Sequence, residues 1–110
     1  MSQAEVIKQC KIKTKIVKRL HKELDYYKKE QEREQARVDK MREEGADLHG
    51  MKQAETVLQE SIMMVPQTLQ RLETAFEDLS AYVQENEQDI SESEELKAAK
   101  ELIEAVKATI

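Results

Sequence analysis

Between Leu58 and Val83 the chain sets Leu58, Ile62, Val65, Leu69, Leu72, Phe76, Leu79 and Val83 at alternating steps of four and three, with no polar member. Residues at that spacing fall on one face of a helix, so this stretch must bury a continuous apolar stripe against another rod-like element. Met51, Ala54, Val57 and Ala75 widen the stripe, as a helix touching two neighbours requires. An earlier segment carries the same period. With Cys10 as heptad position a, its seam runs Cys10, Lys13, Val17, Leu20, Leu24, Tyr27, Gln31, Glu34, Val38 and Met41. A third and shorter segment repeats the rule with Leu96, Ala99, Ile103, Val106 and Ile110.

Breakers separate the three. Gly45 and Gly50 bracket Ala46-Asp47-Leu48-His49, which reads as a short turn, and Asn86, Asp89, Ser91 and Ser93 cluster near residue 90. The spacing predicts helices over about 4–44, about 51–88 and about 92–109, the second kinked near Pro66. Ser91 with Glu94 three residues on fits a capping box for the third. Short connections make consecutive helices antiparallel neighbours. The expected fold is therefore all-α: an elongated antiparallel three-helix bundle in a single domain of 110 residues, two long helices forming a hairpin with a shorter third. At about 1.5 Å per residue the long helices reach roughly 60 Å and the third stays under 30 Å, so the third covers the hairpin only back to about Leu69. Beyond it, where the seam turns polar at Gln31 and Glu34, two helices are expected to pair alone.

The composition agrees with long helices: 37% charged residues, 4% aromatic, two glycines and one proline. The periodicity of the apolar residues argues against intrinsic disorder. A single cysteine, Cys10, rules out an internal disulfide and points to a reducing compartment. The opening Met1-Ser2-Gln3-Ala4-Glu5 lacks the basic-then-apolar order of a signal peptide, and no stretch approaches the roughly 20 apolar residues of a membrane span, so a cytosolic protein is expected. Catalysis is not expected: there is no phosphate-binding glycine loop, neither His21 nor His49 has metal spacing with Cys10, and a thin bundle offers little concavity. No cofactor or metal is called for.

Net charge is −5 but uneven: residues 1–45 carry 13 Lys and Arg against 9 Asp and Glu, and residues 46–110 carry 5 against 14. Lys8, Lys15, Lys22 and Lys29 all fall at heptad position f of the first helix, with Lys11 and Lys18 beside them at b and Arg19 close by. Both a solubility face and a docking stripe for an acidic partner fit this row. Nucleic acid fits it poorly, since no aromatics interleave and the whole chain is acidic. A membrane surface fits no better, because the opposite face is needed for the seam. Pro66 interrupts the best heptad run, at a local cost of about 3 kcal/mol, just after Met63 and Met64. Met63 lies at an outward position. Adaptable methionines there fit a partner surface, and a proline bend that wraps the second helix around its neighbours fits equally.

An ordered set of short segments completes the reading. Lys11-Ile12-Lys13-Thr14, Val17-Lys18-Arg19-Leu20 and Lys22-Glu23 are followed by Lys40-Met41-Arg42 and the Gly45-Ala46-Asp47 turn. Then come Lys52-Gln53-Ala54-Glu55, Leu58-Gln59-Glu60-Ser61, Met63-Met64-Val65-Pro66 and Arg71-Leu72-Glu73. This colinear run over roughly residues 10–80 resembles the tubulin-binding cofactor A (tubulin-specific chaperone A) family. It departs from the family at Ile62, at Leu48-His49-Gly50 and at Gln67-Thr68. The resemblance implies a three-helix bundle, monomeric or homodimeric, that acts without nucleotide. Such a protein binds β-tubulin after chaperonin release and passes it on toward αβ-heterodimer assembly, alongside other tubulin-folding cofactors, in a cytoplasmic and cytoskeleton-associated setting. The candidate partner-binding residues are Lys11, Lys15, Lys18, Arg19, Lys22, Met63, Met64 and Pro66. The alternative function is a structural coiled-coil or prefoldin-like subunit that assembles through the uncovered half of the hairpin.

Overall fold

The computed structural model describes residues 2–110. Among the described residues the chain forms three α-helices and no strand: α1 (Gln3–Glu43), α2 (Leu48–Asn86) and α3 (Glu94–Lys107). α1 ends where Gly45 takes φ 70°, a left-handed conformation that only glycine adopts without steric penalty. There the Ala46 N–H donates to the Met41 carbonyl at 3.0 Å and the Gly45 N–H to the Arg42 carbonyl at 3.2 Å, the paired bonds of a Schellman stop.

The turn is shorter than the glycines imply. α2 begins at Leu48, and Gly50 lies inside its first turn rather than closing the loop. The reason is Asp47, whose carboxylate accepts the Gly50 N–H at 2.8 Å and so caps the helix. A Cβ at residue 50 would come within 2.8 Å of that same oxygen, so a larger residue there would require the Asp47 carboxylate to shift. The start of α3 also differs from expectation. Ser93, not Ser91, is the N-cap; its hydroxyl accepts the Leu96 N–H at 3.1 Å. Ile90, 1% exposed, anchors the intervening turn, and the Ser93 N–H donates to its carbonyl at 2.9 Å.

The chain packs as two compact units. The first combines residues up to Lys22 with Leu69–Ile110 and holds parts of all three helices. Its core is Val6, Cys10, Val17 and Leu20 of α1, Leu72, Leu79 and Val83 of α2, and Leu96, Ala99 and Val106 of α3, with Ile90. Lys13 occupies a seam position and is half-buried; its ammonium lies over the Tyr82 ring, 5.3 Å from the centroid, and 2.7 Å from Asp78.

The second unit, Glu23–Thr68, contains only α1 and α2. Val38, Ala54 and Leu58 form its buried cluster, with Met41, Met51 and Ile62 packed against it, and Arg42 reaches Glu55 at 3.5 Å. Two of its buried residues on α2 are polar, Ser61 and Thr68. The Ser61 hydroxyl donates to the Leu58 carbonyl, whereas Thr68 Oγ1 has no partner. One carboxylate oxygen of Glu34 is likewise buried without a hydrogen bond, 3.6 Å from Arg37.

These packing differences have opposite mutational signs. Leu72→Ala opens a cavity in a fully buried site and is expected to destabilise the chain by about 2–5 kcal/mol. Thr68→Val keeps shape, removes an orphaned hydroxyl and is expected to stabilise by about 1 kcal/mol. Urea denaturation of both variants against wild type measures the two signs; a destabilised Thr68→Val would mean that the hydroxyl is satisfied in solution.

Candidate docking surfaces

Two surfaces carry the residues that the sequence singles out, one in each unit. In the first unit, the f and b positions of α1 place Lys8, Lys11, Lys15, Lys18 and Lys22 on its exposed side, together with Arg19. α1 is helical without interruption from Gln3, so the 3.6-residue period holds these lysines on one side of the rod. None of the five lysines has a salt-bridge partner among the described residues, whereas Lys29, further along, is tied to Asp25 at 2.9 Å. Lys11, Lys15 and Lys18 form one wall of a shallow groove whose other wall is the first turn of α3, with Glu94, Glu95 and Ala98. The two acidic residues suit a helix N-terminus, and Glu94 lies 4.0 Å from Lys97 of its own helix.

In the second unit, Met63 is 56% exposed and Met64 half-buried on α2. Both line a groove with Val57 and Ser61 of α2 and with Tyr27 and Glu30 of α1, and Glu60 stands on the α2 side. Pro66 is exposed but does not line this groove, and α2 stays helical on both sides of it. Because proline has no N–H, the Ile62 carbonyl lacks its donor four residues on. The α1 wall escapes a sequence reading. Tyr27 registers there only as a seam residue and Glu30 as one carboxylate among many, and their placement opposite Met64 appears only once the hairpin is closed.

Among the described residues no three His, Cys, Asp or Glu side chains are grouped to hold a metal, and no helix is long and apolar enough to cross a membrane. His21 contacts the Thr109 hydroxyl at 3.1 Å, and His49 is exposed at the start of α2.

The family model for tubulin binding cofactor A matches residues 5–103, nearly the whole of this three-helix chain. The chain belongs to the tubulin binding cofactor A family. It is 44% identical over 101 residues to the tubulin-specific chaperone A of Gallus gallus, covering 92% of this chain and 93% of that protein. The crystal structure of tubulin folding cofactor A from Arabidopsis thaliana superposes with a TM-score of 0.86 at 42% identity, over 96% of this chain and 98% of that one. Human tubulin chaperone cofactor A does so with a TM-score of 0.78 at 41% identity, over 93% and 98%.

This member of the cofactor A family holds its single thiol inside the bundle. Cys10 is fully buried, with Sγ 3.7 Å from the Glu95 carbonyl and its own carbonyl accepting the Thr14 hydroxyl at 2.7 Å. Burial pushes the thiol above its ordinary value of 9.0; the Glu95 charge adds to the rise and the Thr14 contact opposes it. In the unfolded chain Cys10 ionises at the ordinary value, so its stabilising contribution is complete below that pH and is lost as pH climbs through the higher folded value. Wild type should therefore lose stability above about pH 9 more steeply than Cys10→Ala. Native Cys10 should also resist a thiol reagent until denaturant is added. Equal pH slopes for the two proteins in urea melts would contradict this account.

Proposed function

We propose that this chain captures β-tubulin after its release from the cytosolic chaperonin, keeps it competent to fold, and passes it on for αβ-heterodimer assembly. The observation that carries the reading is the lysine row of α1, exposed on the first unit with five ammonium groups free of ion pairs. Unpaired cations on a rigid helix present a potential that attracts an acidic protein and accelerates encounter without a shaped pocket. The curated relatives are named for tubulin, and tubulin is such an acidic client. The exposed methionine surface of the second unit supplies a complementary apolar contact, since an unbranched thioether adapts to irregular surfaces.

Holding and release then need no chemistry. Long-range attraction raises the on-rate, while exposed charge pairs contribute only about 0–1 kcal/mol each, so the complex stays reversible. Other tubulin-folding cofactors can accept the client by competition for its surface. The setting is the cytoplasm, next to the microtubule cytoskeleton that uses the product.

The test is capture of β-tubulin by the purified chain, followed by sedimentation of the complex. Wild type is expected to form a 1:1 complex that weakens as salt rises. The triple variant Lys15→Glu, Lys18→Glu, Lys22→Glu should lose at least about tenfold in affinity while circular dichroism stays helical. Undiminished binding by that variant would make the row a solubility face. Failure of wild type to capture β-tubulin, with assembly of the chain into a larger oligomer instead, would favour a structural coiled-coil subunit.

A further inference from the structure

The groove in the second unit has a charge pattern opposite to that of the lysine row. Its apolar surface comes from Tyr27 of α1 and from Val57, Met63 and Met64 of α2. Its charged residues are Glu30 on the α1 wall and Glu60 on the α2 wall, one acid on each side, and no Lys, Arg or His lines it. Neither carboxylate has an ion-pair partner among the described residues. Tyr26 packs edge-on against Tyr27 at 5.3 Å between centroids and is itself 54% exposed. Tyrosine and methionine are both enriched at protein interfaces, and tyrosine is among the residue types that concentrate binding energy there. The sign reverses beyond Val57, where Arg37 and Lys52 line the adjoining groove, so the acidic stretch is short.

We infer that this groove takes an amphipathic helix of a partner protein, about two turns of it, whose apolar ridge is flanked by Lys or Arg. A ridge of aliphatic side chains at three- and four-residue spacing matches a channel between two helices, and flanking cations meet Glu30 and Glu60. An acidic ridge would face two uncompensated carboxylates and be rejected. The inference deepens the reading of the methionine surface as a docking site and assigns it a ligand of opposite charge to that of the lysine row. A client would then be held at two places by segments of different chemistry, which gives selectivity that neither surface has alone.

Two short helix-stabilised peptides test it, with leucines at identical helical spacing and either lysine or glutamate at the flanking positions. In methyl and aromatic NMR spectra of the full chain, the Leu/Lys peptide is expected to shift Met63, Met64 and Tyr27, and the Leu/Glu peptide to leave them in place. The double variant Glu30→Lys, Glu60→Lys should weaken the Leu/Lys peptide about tenfold and gain binding of the Leu/Glu peptide. A control, Glu85→Lys with Glu101→Lys, changes net charge equally in the first unit and should keep wild-type affinity. Equal losses in both double variants, or shifts confined to other residues, would overturn the assignment as general attraction to an acidic protein. Neither arm contains tubulin, so the groove's chemistry and the capture of β-tubulin stand or fall separately.

Discussion

Burial of the α2 stripe against α1 is the constraint on which everything else rests. Leu72 and Leu79 are completely buried, as are Cys10 and Val17 on the opposing helix. A chain this rich in charge has few other apolar side chains to bury, and a helix with both faces in water gains little beyond its marginal intrinsic propensity. The stripe therefore decides the hairpin, and the hairpin decides which side chains are left over. The lysine row exists because f and b positions point away from a seam that a and d positions occupy. Met63 is exposed for the same reason on α2.

The two units apply this constraint with different completeness. In the first, α3 contributes Leu96, Ala99 and Val106, so a third helix shares the burial of α2. In the second no third helix is present, and Ser61 and Thr68 occupy buried α2 positions that aliphatic residues would otherwise fill. The polar seam residues Gln31 and Glu34 of α1 belong to this same unit. The second unit lacks a third layer, and the groove lined by Met63 and Met64 lies in it.

Much of this was legible from residue spacing. Every α1 seam position from Cys10 to Met41 is buried or half-buried, including Lys13, Gln31 and Glu34, because a sustained heptad leaves one solution for the face of a long helix. The α2 stripe departs from its apolar pattern. Ile62 and Leu69 are half-buried, while their polar neighbours Ser61 and Thr68 are buried. Steps of four and three admit two adjacent registers, and apolar pattern alone selects the greasier one even where the backbone points the other inward. The ends failed for a different reason. Gly50 looks like a turn residue until Asp47 is seen to cap across it, and Ser91 and Ser93 are equivalent as symbols until Ile90 anchors the loop and leaves Ser93 facing the Leu96 N–H. Caps are decided by a single hydrogen bond, which composition does not encode.

The candidate site divides along the same line. A row of lysines on one helix is a one-dimensional feature, visible from period alone, because its chemistry needs no second element. A groove is two-dimensional. Tyr27 and Met64 are 37 positions apart in the chain, and only the antiparallel register brings them to one surface, with Glu30 and Glu60 as its opposite rims. That difference separates what each surface can discriminate. A cationic row responds to net charge and is screened by salt. A groove with an apolar floor and acidic walls responds to the order of residues along a partner helix. Selectivity of that kind requires only that the two-helix unit keep the register that aligns those walls.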